Sequence, residues 1–228
     1  TELIVQRLHV TLPLAIGAMV VATLASLTLG IFAATNHNRV GDYGVMGFSQ
    51  LGLAIPDFWF GILLIILFAV ILHWLPSGGF PGWDDGIWHG VRSLLLPILT
   101  QALSLTAIMT RVTRSSVLEV AREDYVRTAR AKGLSRRAAL WGHVLRNALI
   151  PVLTIGGLLV ATVVTGTLVI ENVFALPGVG KLIFDAISNR DLMVVKNVVL
   201  LFAAIVVAVN FVVDILYAMV DPRIRVHT

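Results

Sequence analysis

The groups that could do chemistry in this chain are few, and they sit among apolar residues. Asp57, Glu171 and Asp214 fall within or at the ends of long apolar runs, and Asp221 lies seven residues after Asp214. Acids in such places carry coupling ions or protons, or else they cap helices and pair with cations. Asp57 follows Pro56 and reads as an interfacial or helix-capping group rather than an ion-coupling one. Asp214 and Asp221 share one helix face, where a salt bridge to a basic segment is favoured over contact with a substrate. His73 and His89 are the residues that could hold nickel. The six histidines are scattered, however, and no H-E-x-x-H occurs, so both read as structural. Gly180-Lys181 lacks the upstream glycine and the following hydroxyl of a phosphate-binding loop. The chain therefore reads as non-catalytic, with no metal site and no cofactor of its own. If ATP drives its work, ATP and Mg²⁺ are bound by another chain.

The densest polar signal is the 36-residue stretch from Arg111 to Arg146, with nine of the seventeen Lys and Arg residues against three acids, Glu119, Glu123 and Asp124. Glu119 to Ala131 favours helix, with Glu123 and Arg127 spaced as an i,i+4 pair. Gly133 reads as a helix stop and Ser135 as the cap of a second helix through Arg146. Two helices about a glycine make a compact projection for another protein to hold, or a basic pair lying on lipid headgroups. The residues alone leave both readings open.

These groups are positioned by apolar elements. With 57% hydrophobic and 13% charged residues, against roughly 25% charged in a soluble domain, the chain reads as an integral membrane protein. Five runs approach the ~20 residues that cross ~30 Å of hydrocarbon. They cover about Thr11 to Ala34, Val45 to Trp74, Leu94 to Thr113, Ala148 to Ile170 and Val194 to Val220. Pro56-Asp57 interrupts the second, which bends there or leaves a span over Phe58–Leu75. Lys and Arg beside spans resist translocation, so Arg111–Arg146 is expected in the cytoplasm, with Asn36–Tyr43 and the C-terminal tail Asp221–Thr228. Pro76–Arg92 and Glu171–Met193 then lie outside, with Trp74, Trp83 and Trp88 at that boundary. Orientation accounts for the basic residues better than nucleic acid does. Without cysteines there is no disulfide framework. Ala18, Ala22, Ser26 and Gly30 form a small-residue stripe, as do Gly157, Ala161 and Thr165; both suggest close helix packing rather than a pore lining. Glu171–Gly180, with Pro177, Gly178 and Gly180, is either a re-entrant turn at an outer gate or a surface loop. The first residue is Thr1, and the chain is expected to lack its native start.

The basic stretch resembles the so-called EAA loop of binding-protein-dependent ABC importer permeases. That pattern is Glu-Ala-Ala, three residues, Gly, nine residues, Ile, one residue, Leu-Pro; Ala129, Gly133 and Leu145 match it here. Arg127-Thr128, His143 and Arg146 depart from it. They are similar instead to the peptide/nickel branch, whose run resembles Tyr125 to Leu134 followed by His143, Arg146, Asn147, Ala148 and Pro151. Ile55–Gly61, Glu171–Phe174 with Pro177–Gly180, Asn189–Asp191, and Asp214–Tyr217 with Asp221–Arg225 resemble the same branch. The resemblance implies an all-α polytopic bundle, a type I ABC importer-like permease, as a single domain over residues 1–228, with a further N-terminal span. It implies di- or oligopeptide import across a bacterial inner membrane, or import of nickel chelates, glutathione or another small solute. The implied partners are a second permease, two cytoplasmic ATPase subunits and an outer binding protein. ATPase coupling falls, by resemblance, to Tyr125, Arg127, Ala129, Arg130, Ala131, Lys132, Gly133 and Leu134. Structural or gating roles fall to Pro56, Asp57, Glu171, Pro177, Gly178, Gly180, Asp214 and Asp221. A secondary transporter would show coupling acids at mid-membrane and often repeated halves; neither stands out here. A membrane hydrolase would need a nucleophile and base within the spans, and these are not evident.

Overall fold

In a bilayer an apolar run becomes helix because every backbone donor and acceptor is then satisfied within the segment. The computed structural model describes residues 2–220, apart from the side chains at 2, 213, 214 and 216–220. The expectations for the Asp214 side chain, Asp221 and the C-terminal tail lie outside the described residues. All regular structure described is helical: α1 (Glu2–Thr35), α2 (Val40–Ala54), α3 (Asp57–Leu64), α4 (Ile87–Val120), α5 (Asp124–Ala131), α6 (Arg136–Ala139), α7 (Leu145–Val173), α8 (Val179–Ser188) and α9 (Leu192–Val220). A π-helical stretch, Ile65–Ile71, continues α3, and another, Leu140–Val144, joins α6 to α7 without a break.

Four helices are long and apolar enough to cross a membrane: α1, α4, the continuous Arg136–Val173 and α9. The expected second span is instead two short arms, Val40–Ala54 and Asp57–Ile71, bent by 102°; counted as one crossing, they bring the total to five. The cause is local. Pro56 bars Ile55 from the helical region, and both residues are extended, at φ −88, ψ 123 and φ −63, ψ 134. The second arm also stops at Ile71, short of Leu75, because His73 turns the chain at φ 54.

The third run is longer than its apolar stretch. α4 spans 34 residues, so Arg111, Arg114 and Glu119 are in a helix and not in a loop. Charged residues end the part of a helix that suits lipid, but they do not end the helix; that takes a glycine, a proline or a capping turn.

α4 is the central helix, packed against α1, α2, α3 and α7. Along α1 the residues Ala18, Ala22 and Ser26 are fully buried. A side chain at Gly30 would collide with Thr113 of α4, and one at Gly17 with Ile98. The small-residue stripe is thus a packing seam. The stripe expected on α7 is displaced: Gly157 is buried but Thr165 is exposed, and the packed face runs instead through Gly156, Leu159, Val163 and Thr167.

Candidate functional site

α5 is eight residues long and cannot hold itself in place; its position comes from three anchors. Val126 is buried in a cluster with Val117, Ala139, Val144, Leu145 and Ala148. The Tyr125 hydroxyl accepts a hydrogen bond from Asn147 Nδ2 at 2.7 Å, tying α5 to the start of α7. The C-terminus closes as a Schellman turn: the Gly133 N–H donates to Arg130 O at 3.0 Å and the Leu134 N–H to Ala129 O at 3.3 Å. Gly133 has φ 99, and a Cβ there would meet nothing within 4 Å. Backbone conformation, not space, requires the glycine. Ser135 Oγ then accepts from the Ala138 N–H at 3.2 Å, capping the next helix as expected.

Three expectations for this segment need correction. Its first helix starts at Asp124, after a break at Ala121–Glu123, and not at Glu119. The second does not end at Arg146 but runs on to Val173, because nothing between Leu145 and Pro151 breaks it. Nor does Arg127 pair with Glu123; it reaches Asp124 Oδ1 at 3.5 Å, with both side chains exposed, which is worth little. Tyr125, Arg127, Arg130, Ala131, Lys132, Gly133 and Leu134 are exposed, while Ala129 is half-buried.

An ion pair between a buried carboxylate and a half-buried arginine secures the base of this projection, and reading the sequence missed it. Asp42, 1% exposed, accepts two hydrogen bonds from Arg114, at 2.5 Å from Nε and 2.7 Å from Nη2. The Asn38 N–H donates to the same carboxylate at 3.0 Å. His37 Nδ1 lies 3.2 Å from Asp42 Oδ2 and 3.1 Å from Arg114 Nη2; its tautomer decides whether it donates to the acid or accepts from the arginine. A bidentate, charge-assisted pair locks the α1–α2 turn to the last turns of α4. The available signal was Asp42 itself, an acid beside a span in a turn expected to be cytoplasmic.

At the far end of the bundle Glu171, fully buried, holds a second junction. Thr11 Oγ1 donates to its Oε1 at 2.6 Å and the Lys181 N–H to its Oε2 at 3.1 Å. The Val179 N–H donates to Thr11 Oγ1 at 2.9 Å. Glu171 and Thr11 together thus satisfy first-turn amides of α8, where negative charge suits the helix dipole. A Cβ on Gly178 would fall on the Glu171 carboxylate, and one on Gly180 on the Leu168 backbone and then the same carboxylate, so here close approach explains the glycines. With Pro177 half-buried and Leu176 buried, Glu171–Gly180 is a packed turn that sends α8 back among α1, α7 and α9, and not a surface loop. Asp57 stands in the first turn of α3, where Ser104 Oγ of α4 donates to it at 3.2 Å, and Pro56 forms the bend. His73 and His89 line one cavity of about 810 Å³ with Arg92. Trp83 is half-buried: its Nε1 donates to His9 O at 3.0 Å and its ring meets Phe80 edge-on.

Residues 26–226 match the family of binding-protein-dependent transport system inner membrane components. The chain belongs to that family. Relatives of this permease include the "Di/tripeptide transport system permease protein DppB" of Pseudomonas aeruginosa (strain UCBPP-PA14), 44% identical over 94% of this chain and 70% of that one. The "Oligopeptide transport system permease protein AppB" of Bacillus subtilis (strain 168) is 42% identical over 99% and 72% respectively. A chain of the MetNI methionine ABC transporter, in an inward-facing structure, superposes with TM-score 0.80 over 97% of each chain at 17% identity. The permease is thus an all-helical inner-membrane component with the type I importer-like architecture.

Proposed function

We propose that this chain is the permease subunit of an ATP-driven importer and forms part of the pathway for di- or oligopeptides. Its membership of the family and the names of its relatives support this reading. The observation that carries the mechanism is the rigid mounting of α5, which presents Arg127, Arg130, Lys132 and Leu134 outward while Val126 and Tyr125 fix it to the span ends. A cytoplasmic ATPase subunit grips that projection, and ATP and Mg²⁺ stay in the ATPase pair. A second permease, similar or identical, completes the pathway, and a binding protein delivers peptide at the outer face. The C-terminus lies in the cytoplasm.

Closing of the ATPase pair moves α5 as a rigid body. Displacement passes through Asn147 and the Val126 cluster into the long helix Arg136–Val173, and through Arg114 and Asp42 into α2. At the other end of that helix the Glu171 junction makes α8 follow, so Glu171–Gly180 and the bend at Pro56-Asp57 act as gating elements. The test is Gly133→Asp in the complete transporter. Loss of ATPase co-purification and of labelled dipeptide uptake is expected; survival of both defeats the docking role. Normal ATPase coupling with uptake of a nickel chelate instead of dipeptide would retain the mechanism and change the cargo.

A further inference from the structure

Behind α5 lies a cavity of about 490 Å³, and of the outward residues of α5 only Arg130 reaches its rim. Its floor is apolar, built from Val117 and Leu118 near the end of α4, Val126 of α5 and Val144 before α7, with Ala34 at the end of α1. Its rim carries Arg130, Arg136, Arg137 and Trp141, and no acid lines it. Among the described residues none of these three arginines makes a side-chain hydrogen bond or ion pair. Trp141 is 62% exposed, an amphipathic ring of the type that settles at the headgroup level. Three cations over an apolar trough call for a ligand with an anionic head and a hydrocarbon body.

We propose that this cavity binds an anionic phospholipid of the cytoplasmic leaflet, with its phosphate held by Arg130, Arg136 and Arg137 and an acyl chain laid on the floor. Basic pockets between spans on the cytoplasmic side suit such headgroups. An acidic helix of the ATPase would satisfy the same charges. Position favours the lipid, because the floor joins the ends of the apolar helices α1 and α4 to the start of the long helix Arg136–Val173. Arg127, Lys132 and Leu134, on the tip of the projection, do not line the cavity. The site rests on the cytoplasmic placement of the loop, and its test reads lipid retention, not transport.

The complete transporter is placed in nanodiscs of phosphatidylglycerol and phosphatidylcholine, then stripped stepwise in detergent while retained lipid is identified by native mass spectrometry. Wild type should keep phosphatidylglycerol in preference to phosphatidylcholine. Arg136→Gln/Arg137→Gln should weaken retention by about fivefold for each arginine removed, while Arg146→Gln, outside the cavity, leaves it unchanged. No preference in the wild type, a result that needs no variant, overturns the site. So does equal retention by the double variant, or displacement of the lipid by inorganic phosphate alone. Loss of the ATPase subunits from the double variant with lipid retention intact would assign the cavity to the ATPase.

Discussion

The two buried carboxylates do opposite kinds of work on the same physical ground: a charge removed from water must be met by donors. Asp42 meets a full cation, so its removal leaves a half-buried Arg114 without its carboxylate, at a cost of about 1–3 kcal/mol. Asp42→Ala should therefore lower the unfolding midpoint in detergent sharply, and combining it with Arg114→Met should recover part of the loss, as a double-mutant cycle would show. Glu171 meets a hydroxyl and backbone amides instead. Glu171→Ala leaves those donors unsatisfied, worth about 1–3 kcal/mol, and Glu171→Gln, which keeps an acceptor, should lose less in the same melt. Glu171 stood out in the sequence as an acid beside Pro and Gly. The partnership of Asp42 with Arg114 did not, because the two are 72 residues apart and no periodicity joins them.

α5 shows how an element is set by its ends. Gly133 and Ser135 are visible as punctuation, and the structure gives each the role its type suggests. For Gly133→Ala the space is open, so the cost is conformational, about 1–2 kcal/mol for a left-handed residue with a Cβ. The expected readout is faster amide exchange across Asp124–Ala131, with weaker ATPase retention than wild type but more than Gly133→Asp allows. α1 and α4 meet on a different principle, the absence of side chains. Gly30→Leu should force them apart at Thr113 and lower yield and thermal stability, whereas Leu24→Ile, on an exposed face, should leave both unchanged. At Thr113 and Arg146 hydropathy marks the edge of an apolar run, and the helix continues past both.

As a whole the molecule is a set of apolar surfaces that it covers only in part. Little of the apolar run Leu192–Val212 of α9 is buried within this chain, whereas most of that of α4 is, so α9 is left to lipid or to a neighbouring subunit. The absence of cysteine makes topology directly testable. Lys132→Cys should react with an impermeant maleimide only after spheroplasts are opened, and Asp85→Cys should react in intact ones; the reverse pattern would invert the proposed orientation. The sequence by itself determined the membrane class, the helical content, the break at Pro56 and the projecting loop with its glycine turn. Each follows from near neighbours: hydropathy summed along a run, a missing N–H, a positive φ. Only the tertiary structure decided that the run at Pro56 bends through 102°, that Asp42 and Glu171 are junctions between distant helices, and that three arginines share one apolar cavity. Those depend on the rotation of each helix about its axis and on which helices become neighbours, and side-chain spacing along one segment carries neither.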